Sequence, residues 1–295
     1  MKIILSRKGF DSSTGGFASP IIKDNDTKGN GRLLSLPIPV TEEQQKKDER
    51  GIGYDKLKFD GQSLSEVISQ LSKGHFAHKE AHLDPDLDRD RYEPRGQGWK
   101  QTFGQQGNAQ TYLEERGVGK GDLFLFFGWF RRTRYENGKL KYVPPKKGGN
   151  NLHVIFGWLQ VGEILNVPKN QDQDEIPNWL HYHSHIVNRK IYTKNTIYIA
   201  ADHLTLDGLS VRGGAGTLPC FKPLLQLTAP EEESRSHWCL PKWLCSGYIE
   251  GNWRCPKDHL PFDSDGRRQE FVFDVPEPSN QEAINWLKGL FEDCC

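Results

Sequence analysis

The sequence predicts an α+β fold: one mixed or antiparallel, partly barrel-like sheet with helices at its periphery. Two observations lead to this prediction. Nearly continuous apolar runs at residues 122–130 and 153–164 are typical of strands that are buried on both faces or close a small barrel. Helical periodicity occurs in short segments, among them one that begins at Ser63 and another at the end of the chain.

The first part of the chain is predicted to alternate short strands with polar turns. Residues 2–5 read as a short buried strand, and a dense polar turn with nearby glycines follows over residues 6–13. Residues 23–32 suit the tip of a surface hairpin. The alternating apolar segment at 34–38 is predicted as a strand, which its prolines end or place at a sheet edge.

Capping signals predict three helices. Ser63 and Glu66 form a capping-box pattern at the start of the first helix, and Gly74 is its plausible end. A second short helix is predicted over about 108–116, before a glycine. The third begins at Ser279 and closes the chain.

The remaining strand signals predict a single domain. Asn137-Gly138 is the signature of a type I′ turn between the two long apolar runs, and 196–201 and 271–274 add two strands. No internal repeat or dividing linker is evident in the sequence. We therefore predict one domain over 1–295, with a barrel-like β core around 117–167.

Composition excludes several classes of protein. The 39 basic and 39 acidic residues leave no net charge that would by itself indicate nucleic-acid or membrane binding. No apolar run reaches the roughly 18 residues of a membrane span, and charges follow the first residues too closely for a signal peptide. Six cysteines are too sparse for a disulfide scaffold. We expect a cytoplasmic protein with reduced thiols and no membrane partner.

The first candidate site is the turn that follows the opening strand. Ser6, Arg7, Lys8 and Asp11 combine two cations with a hydroxyl and a carboxylate, and exposed glycine amides lie nearby. Such a turn could cradle a phosphate, although it lacks the spacing of a P-loop. The alternative is a solvated surface turn with a local pair between Asp11 and Arg7.

The second candidate site is the segment His82-x-Asp84-x-Asp86. An imidazole and two carboxylates at this spacing could surround Mg²⁺, Mn²⁺ or Zn²⁺. The alternative is a salt-bridged surface segment, because three arginines within residues 89–95 can neutralise the same acids. The spacing alone leaves both the metal and any cofactor unassigned.

The third candidate is a basic hairpin over residues 129–147. It carries seven cations against one glutamate and is interleaved with aromatic rings, which is typical of nucleic-acid binding. Trp129, Arg131 and Arg132 are its leading candidates. The alternative is a solubilising hairpin, since edge strands are routinely charged in this way.

Two further clusters contain metal-ligand residue types. In a strand, His181, His183 and His185 would share one face, as a metal triad or a strip for base stacking. A second set suits zinc but lacks a Cys-x2-Cys pair, so aromatic packing is the alternative. Its members are His237, Cys239, Cys245, Cys255 and His259.

Unusual sequence words are spread over nearly the whole chain. They are Ile4–Ser12, Ser19-Pro20, Leu34–Pro39, His82–Asp86, Phe103–Gln105, Gly121–Arg131, His153–Gly157, Ser236-x-Trp238-x-Leu240-Pro241 and Gln269–Asp274. Together they resemble the bacterial and phage nucleotide-modification-associated domain, type three. The resemblance implies one domain and a role beside DNA-base-modifying or phage-defence systems. It supplies no catalytic residues and no reaction.

A local similarity covers about fifty residues of the predicted β core. Gly121-Asp122 leads a strand, and a returning strand carries Gly157 and Val161. This order resembles the base-binding barrels of the PUA, ASCH and EVE kind. The resemblance implies an aromatic pocket beside a basic rim that holds a flipped or modified base.

The first functional hypothesis is recognition of a nucleotide or modified base in a DNA-modification or defence system. Trp129, Phe156 and Trp158 would then stack on bases. The contacts to phosphate and the rest of the nucleotide would come from Ser6, Arg7, Lys8, Asp11, Arg131 and Arg132. The expected partners are DNA or a nucleotide, and possible further partners are proteins of a base-modification system.

The second hypothesis is an enzyme that modifies or hydrolyses a nucleotide or nucleobase. Arg7 would stabilise negative charge, while His82, Asp84 and Asp86 would act as bases or metal ligands. A third hypothesis makes the chain a structural docking subunit. The two candidate loops discriminate between the first two hypotheses: convergence on one pocket favours the enzyme, and separation favours recognition.

Overall fold

A computed structural model describes residues 1–12, 14–23, 30–206, 212–244, 251–264, 268–275 and 281–292. Within these residues, the strands and α-helices alternate irregularly along the chain. The strands are β1 (Lys2–Arg7), β2 (Ser19–Lys23), β3 (Arg32–Leu33), β4 (Ile52–Gly53), β5 (Lys58–Phe59), β6 (Gln62–Ser63), β7 (Glu80–Ala81), β8 (Thr102–Gln105), β9 (Leu123–Glu136), β10 (Lys139–Tyr142), β11 (Leu152–Asn166), β12 (Thr196–Ala200), β13 (Ala215–Thr217), β14 (His237–Pro241), β15 (His259–Asp263) and β16 (Glu270–Asp274). The α-helices are α1 (Glu42–Lys46), α2 (Leu64–Ser72), α3 (Gly107–Glu115), α4 (Ser184–Val187) and α5 (Gln281–Phe291).

Ten of these strands form one large sheet, whose main order is β16-β1-β9-β11-β12-β8. Strands β1 and β2 run parallel to β9, and the other pairs along the sheet are antiparallel. The sheet is therefore mixed, as predicted. It ends at β16 and β8 and does not close into a barrel.

The two longest strands correspond to the two apolar runs of the sequence. Strands β9 and β11 pair antiparallel with Leu152 opposite Phe130. Residues 123–128 of β9 are all buried, as expected for a strand that is covered on both faces. Asn137 and Gly138 both have positive φ, at 53° and 73°, so the predicted type I′ turn forms and joins β9 to β10.

A second apolar cluster lies beside the sheet and includes one face of helix α2. Leu64, Val67 and Ile68 of this helix are buried in the same cluster as Phe10 and Tyr54. Ser63 caps the helix by accepting a hydrogen bond from the backbone N–H of Ser65 at 3.1 Å. The predicted helices near 64–73 and 108–116 are confirmed, whereas the predicted start at Ser279 lies outside the described residues.

Two predicted strands are wrong. Residues 34–38 join no ladder, and the strand lies one step earlier at β3, because Pro37 has no N–H to donate while Leu34 and Leu36 are buried in the second cluster. Residues 181–185 are not extended either. They pass from a 3-10 turn into α4, so their imidazoles share no strand face.

The expectation of reduced thiols is wrong for Cys220, Cys239 and Cys255, which are all disulfide-bonded. Cys239 on β14 and Cys255 are joined by a disulfide, with 5.6 Å between their Cα atoms. The pair links β14 to the segment that precedes β15. Within the described residues, no helix is both long enough and apolar enough to cross a membrane.

Candidate functional site

Strand β1 delivers the first candidate turn to the edge of the sheet core. The backbone N–H of Lys8 donates to the Phe127 carbonyl at 2.8 Å, and Phe10 donates to the Leu36 carbonyl at 3.1 Å. Asp11 then closes the turn, because its Oδ1 accepts from the N–H of Thr14 at 2.8 Å. The turn is thus fixed to both hydrophobic clusters.

The second candidate loop is fastened to strand β8. His82 donates its backbone N–H to the Ile38 carbonyl at 2.9 Å, and Asp86 and Thr102 exchange backbone hydrogen bonds at 2.9 and 3.1 Å. Between these attachments, Asp84 Oδ1 accepts from the N–H of Gly104 at 2.7 Å. The backbone of β8 therefore holds the carboxylate of Asp84 in place.

The turn and the loop converge on one pocket of about 160 Å³, which we call the Arg7–Asp84 pocket. Five of the predicted site residues line it: Arg7, Lys8, Asp11, His82 and Asp84. Other parts of the chain add Gln44, Glu49, Gly104, Gln105, His185 and Tyr192, among others. The turn and the loop thus line one pocket, which is the arrangement that the enzyme hypothesis expects.

His185 faces Asp84 in a defined tautomer. Asn195 Nδ2 donates to the His185 backbone carbonyl at 2.7 Å, so its Oδ1 is the atom that lies 2.6 Å from His185 Nδ1. Because an amide oxygen is an acceptor only, His185 Nδ1 must carry a proton. Nε2 is then the nitrogen that faces Asp84, at 3.6 Å from its Oδ2.

Gly104 on β8 has no side chain and so leaves the space that the His185 ring occupies. A Cβ on Gly104 would lie only 2.2 Å from His185 Cδ2, so a side chain at this position would collide with the imidazole. Gly104 also supplies the N–H that holds Asp84. One glycine therefore positions both members of the pair.

Burial and polar contacts change the pKa of Asp84 in opposite directions. Burial raises the pKa of its carboxyl, but the contact with His185 and the neighbouring positive charges outweigh burial, so the pKa lies below its usual value. The carboxylate is therefore the stable form. It faces Nε2 of His185 at 3.6 Å, and we call these two groups the Asp84–His185 pair.

His183 supports the pair from behind and is not itself available for metal binding through Nε2. It caps α4, where its Nδ1 accepts from the His185 backbone N–H at 3.2 Å. Its neutral proton therefore lies on Nε2, which is buried 3.7 Å from Asp84 Oδ1. Burial lowers the pKa of His183 to about 4, so the ring is neutral near neutral pH.

His82 belongs to a second polar group in the same pocket. Its Nε2 lies 2.9 Å from Glu49 Oε1, the oxygen that also accepts from the hydroxyl of Tyr192. Burial acts to raise the pKa of Glu49, but the contacts with His82 and Tyr192 outweigh it and lower the pKa. The Tyr192 ring also packs edge-on against His185, with 5.1 Å between ring centroids.

Lys8 is held by a buried carboxylate on the opposite wall. Glu270 Oε1 accepts from Lys8 Nζ at 3.0 Å, from Gln105 Nε2 at 2.6 Å and from Ser6 Oγ at 3.1 Å. Burial raises the pKa of Glu270 against the effect of Lys8. Ser6 is thus a fully buried support of the pocket wall, and its hydroxyl is directed to Glu270.

Asp86 lies in a different environment from Asp84. It is fully buried and paired in a bidentate manner with Arg95, at 2.7 and 2.8 Å. The Tyr182 hydroxyl and the Trp99 indole also donate to it. Burial raises the pKa of Asp86 despite these partners. Asp86 is thus held in an ion pair with Arg95, and together with Asp84 it lines a larger cavity.

A second cavity, of about 440 Å³, adjoins the first one. Gly9 and Asp84 line both cavities, so the two are neighbours across these residues. The larger one also contains the rings of Phe59 and Phe156 and the guanidinium of Arg91. Of the predicted stacking residues, Phe156 thus borders a cavity that also contains the candidate acid–base residue Asp84.

The other two predicted stacking residues differ in exposure. Trp158 is buried against Phe291, with 5.0 Å between ring centroids, and its Nε1 donates to the Gly213 carbonyl. Trp129 is half-buried on the sheet. Its Nε1 donates to Asn151 Oδ1 at 2.8 Å, and Arg235 lies 4.3 Å above its ring.

The arginines of the basic hairpin contact the protein itself. Arg131 donates to the backbone carbonyls of Gly149 and Val143, both at 3.1 Å. Arg132 donates to the Asn30 carbonyl and lies 4.8 Å from the Phe221 ring. Neither lines the two adjoining cavities.

The described residues of the clusters with metal-ligand residue types make other contacts. Among the described residues, no group of three or more His, Cys, Asp or Glu side chains could hold a metal ion. His181 Nε2 contacts the backbone carbonyls of Gln173 and Ile176. Cys239 and Cys255 of the suggested zinc set are joined to each other, and Cys245 lies outside the described residues.

Sequence reasoning missed the residues that complete the pocket. His185 was assigned to a strand face, whereas it lies in the first turn of α4, which His183 caps. Glu49 and Asn195 carry no sequence signal of their own. The motif Phe103–Gln105 is one of those that carry the family resemblance, and its Gly104 is needed because a side chain there would collide with His185.

The family model for nucleotide modification associated domain 3 matches residues 2–274 of the 295. No curated protein and no solved structure matches the chain significantly. Because the match covers most of its length, the chain belongs to the nucleotide modification associated domain 3 family.

Proposed function

We propose that this member of the family binds a nucleotide and modifies or hydrolyses it by acid–base chemistry in the Arg7–Asp84 pocket. One observation carries the proposal. The cations Arg7 and Lys8 line the same small pocket as the carboxylate of Asp84 and the imidazole of His185. A ligand anion and a proton donor or acceptor would thus meet within one binding site.

The pair is suited to general acid–base catalysis. Asn195 fixes the His185 ring through Nδ1, in the way a base is oriented by a third group in many catalytic sites. Nε2 can then give a proton to a bound ligand or take one from water. Asp84 stabilises the protonated ring, and a positioned acid or base contributes roughly 10²–10⁴-fold to rate.

Arg7 and Lys8 would bind the anionic part of the ligand. Lys8 is already paired with Glu270, so it contributes mainly a nearby positive charge. Arg7 offers a planar set of donors that suits phosphate geometry. Because of this geometry, we assign the phosphate contact to Arg7.

The adjoining cavity of about 440 Å³ would hold the base. Ligand pockets of drug-sized molecules occupy about 300–1,000 Å³, whereas the Arg7–Asp84 pocket alone is smaller than this range. Phe59 and Phe156 supply apolar surface there. Because Asp84 borders both cavities, it would lie between base and phosphate.

Recognition without chemistry is the second candidate, and the size of this ring-bordered cavity is the observation that favours it. A recognition protein needs the cavity and the cations but has no need for the Asp84–His185 pair. The two candidates therefore differ in what substitutions at Asp84 and His185 would change.

The test uses purified protein with each of the four deoxynucleoside 5′-monophosphates. Binding is measured by isothermal titration calorimetry and products by liquid chromatography with mass spectrometry. At least one nucleotide should bind and turn over. Asp84→Asn and His185→Gln should each lower turnover by about 100-fold or more, as expected for loss of a positioned acid or base, and Arg7→Gln should weaken binding.

Matched controls are available on the same chain. His181→Gln changes a neighbouring imidazole that contacts backbone carbonyls, and Asp174→Asn changes an exposed carboxylate. Both should behave as wild type. Turnover that survives in both pocket variants would overturn the acid–base role. Binding without turnover by the wild-type protein would replace it with recognition.

A further inference from the structure

A third cavity lies on the other side of Arg7. Its volume is about 280 Å³, and Arg7 lines both this cavity and the Arg7–Asp84 pocket. The remaining lining residues are Asn151, His153, Glu233, Ser234, Arg235 and Ser236. None of the candidate sites drawn from the sequence included Arg235.

Most groups around this cavity are hydrogen-bond donors. Arg235 is half-buried over Trp129 and also donates to the hydroxyl of Ser12. The hydroxyls of Ser234 and Ser236 lie 2.9 Å apart. Asn151 accepts from Trp129 through Oδ1, so its NH₂ group is the donor that it can present to a ligand.

The lining of the cavity holds two guanidinium groups, those of Arg7 and Arg235. Burial lowers the pKa of Arg235, and the nearby charge of Arg7 lowers it further, while Asp11 acts in the opposite direction. Glu233 is the acidic residue in the lining, and it is exposed. Two neighbouring guanidinium groups repel each other, so an anion between them would be favoured.

His153 contributes as a neutral group. Its Nδ1 accepts from the Trp238 indole at 3.0 Å, so its proton lies on Nε2. Burial, with Arg235 and Arg7 nearby, holds the pKa of His153 well below its usual value. His153 is therefore neutral, and its Nε2 can only donate a hydrogen bond.

We propose that this third cavity binds a second phosphate, so that the substrate is a nucleotide within a polynucleotide strand. The inference rests on the proposed function of the Arg7–Asp84 pocket. Arg7 borders both cavities, which places the two phosphates next to each other along one strand. The half-buried ring of Trp129, beside Arg235, would stack on the neighbouring base.

The test compares a fluorescent single-stranded DNA trinucleotide with the corresponding mononucleotide. Arg235→Gln should weaken trinucleotide binding by about tenfold or more, because a charge-assisted contact to phosphate is lost. It should leave mononucleotide binding within twofold of wild type. The salt dependence of trinucleotide binding should also decrease, with a slope smaller by about 0.7 for one lost phosphate contact.

Arg116→Gln is the matched control, since Arg116 is exposed and lies near Asp274 on another part of the molecule. Arg235→Lys keeps the charge and should retain most of the salt dependence. Thermal unfolding of each variant shows whether the fold is intact. Inorganic phosphate serves as a competitor that occupies the cavity without a strand.

Three results would overturn the second phosphate site. They are an unchanged trinucleotide affinity in folded Arg235→Gln, an equal loss for mononucleotide and trinucleotide, and inorganic phosphate binding at Arg235 as tightly as the trinucleotide. The last result would indicate a free-anion site. If Arg235 proves necessary for the trinucleotide while no mononucleotide binds or turns over, the proposed function fails and the third cavity remains supported.

Discussion

At the scale of single residues, Asp84 and Asp86 show how two carboxylates with the same sequence context acquire different roles. Asp84 lines the pocket and faces an imidazole, whereas Asp86 is enclosed by Arg95, Tyr182 and Trp99. Their spacing in the sequence is compatible with one metal site. Their surroundings differ because Asp86 and Thr102 exchange two backbone hydrogen bonds. These bonds form only in the folded sheet.

This difference predicts opposite effects of two matched substitutions. Asp86→Asn leaves the buried guanidinium of Arg95 without its counter-charge and should lower the free energy of unfolding by about 3–5 kcal/mol. Asp84→Asn keeps the oxygen that accepts from Gly104 and should cost less. Urea denaturation of both variants tests this. Equal losses would show that Asp86 is not held as a structural ion pair.

At the scale of elements, the short helix α4 is where sequence reasoning failed and where the site is assembled. Alternating His, Tyr, His, Ser and His suits a strand by period alone. The chain instead caps a helix with His183, and this capping turns His185 toward Asp84. A cap made by a histidine is unusual, so propensity gave no indication of it.

Because His183 is the capping residue of α4 and is titratable, it also makes the free energy of unfolding depend on pH. The pKa of His183 is lowered by burial to about 4, so between its unfolded value near 6.5 and pH 4 the unfolded state binds more protons than the folded state. Stability should therefore fall as pH decreases through this window, by up to about 1.4 kcal/mol per pH unit for one proton. Above pH 6.5 this contribution is fully present.

His183→Asn tests this assignment, because asparagine can cap the helix but does not titrate. The variant should lose part of the decline in unfolding free energy between pH 6.5 and 4, measured by urea denaturation at several pH values. Part of the decline should remain, since the pKa of buried His153 is also lowered. An unchanged pH profile would exclude His183 as a source.

At the scale of the whole molecule, local patterns were sufficient for the fold class but not for the site. The apolar runs of β9 and β11 and the Asn137-Gly138 turn predicted the centre of the sheet correctly. The sheet stays open between β16 and β8, where apolar runs alone suggested partial closure. Closure depends on strand order, and strand order is not encoded in any one segment.

The pocket is assembled from segments far apart in the chain. Arg7 is the last residue of β1, Asp84 lies beside β8, and His185 and Asn195 follow about a hundred residues later. Sequence reasoning left open whether the turn at 6–12 and the loop at 82–86 meet, and the lining of the pocket shows that they do. It had no means to add His185, since its position depends on the contact with Gly104.

The most direct test of the central claim is a crystal structure of the protein with a bound deoxynucleoside 5′-monophosphate. We predict that its phosphate contacts Arg7, that the base occupies the cavity bordered by Phe156, and that Asp84 and His185 lie beside the nucleotide between them. A nucleotide bound elsewhere on the molecule, with the Arg7–Asp84 pocket left to solvent, would contradict the claim.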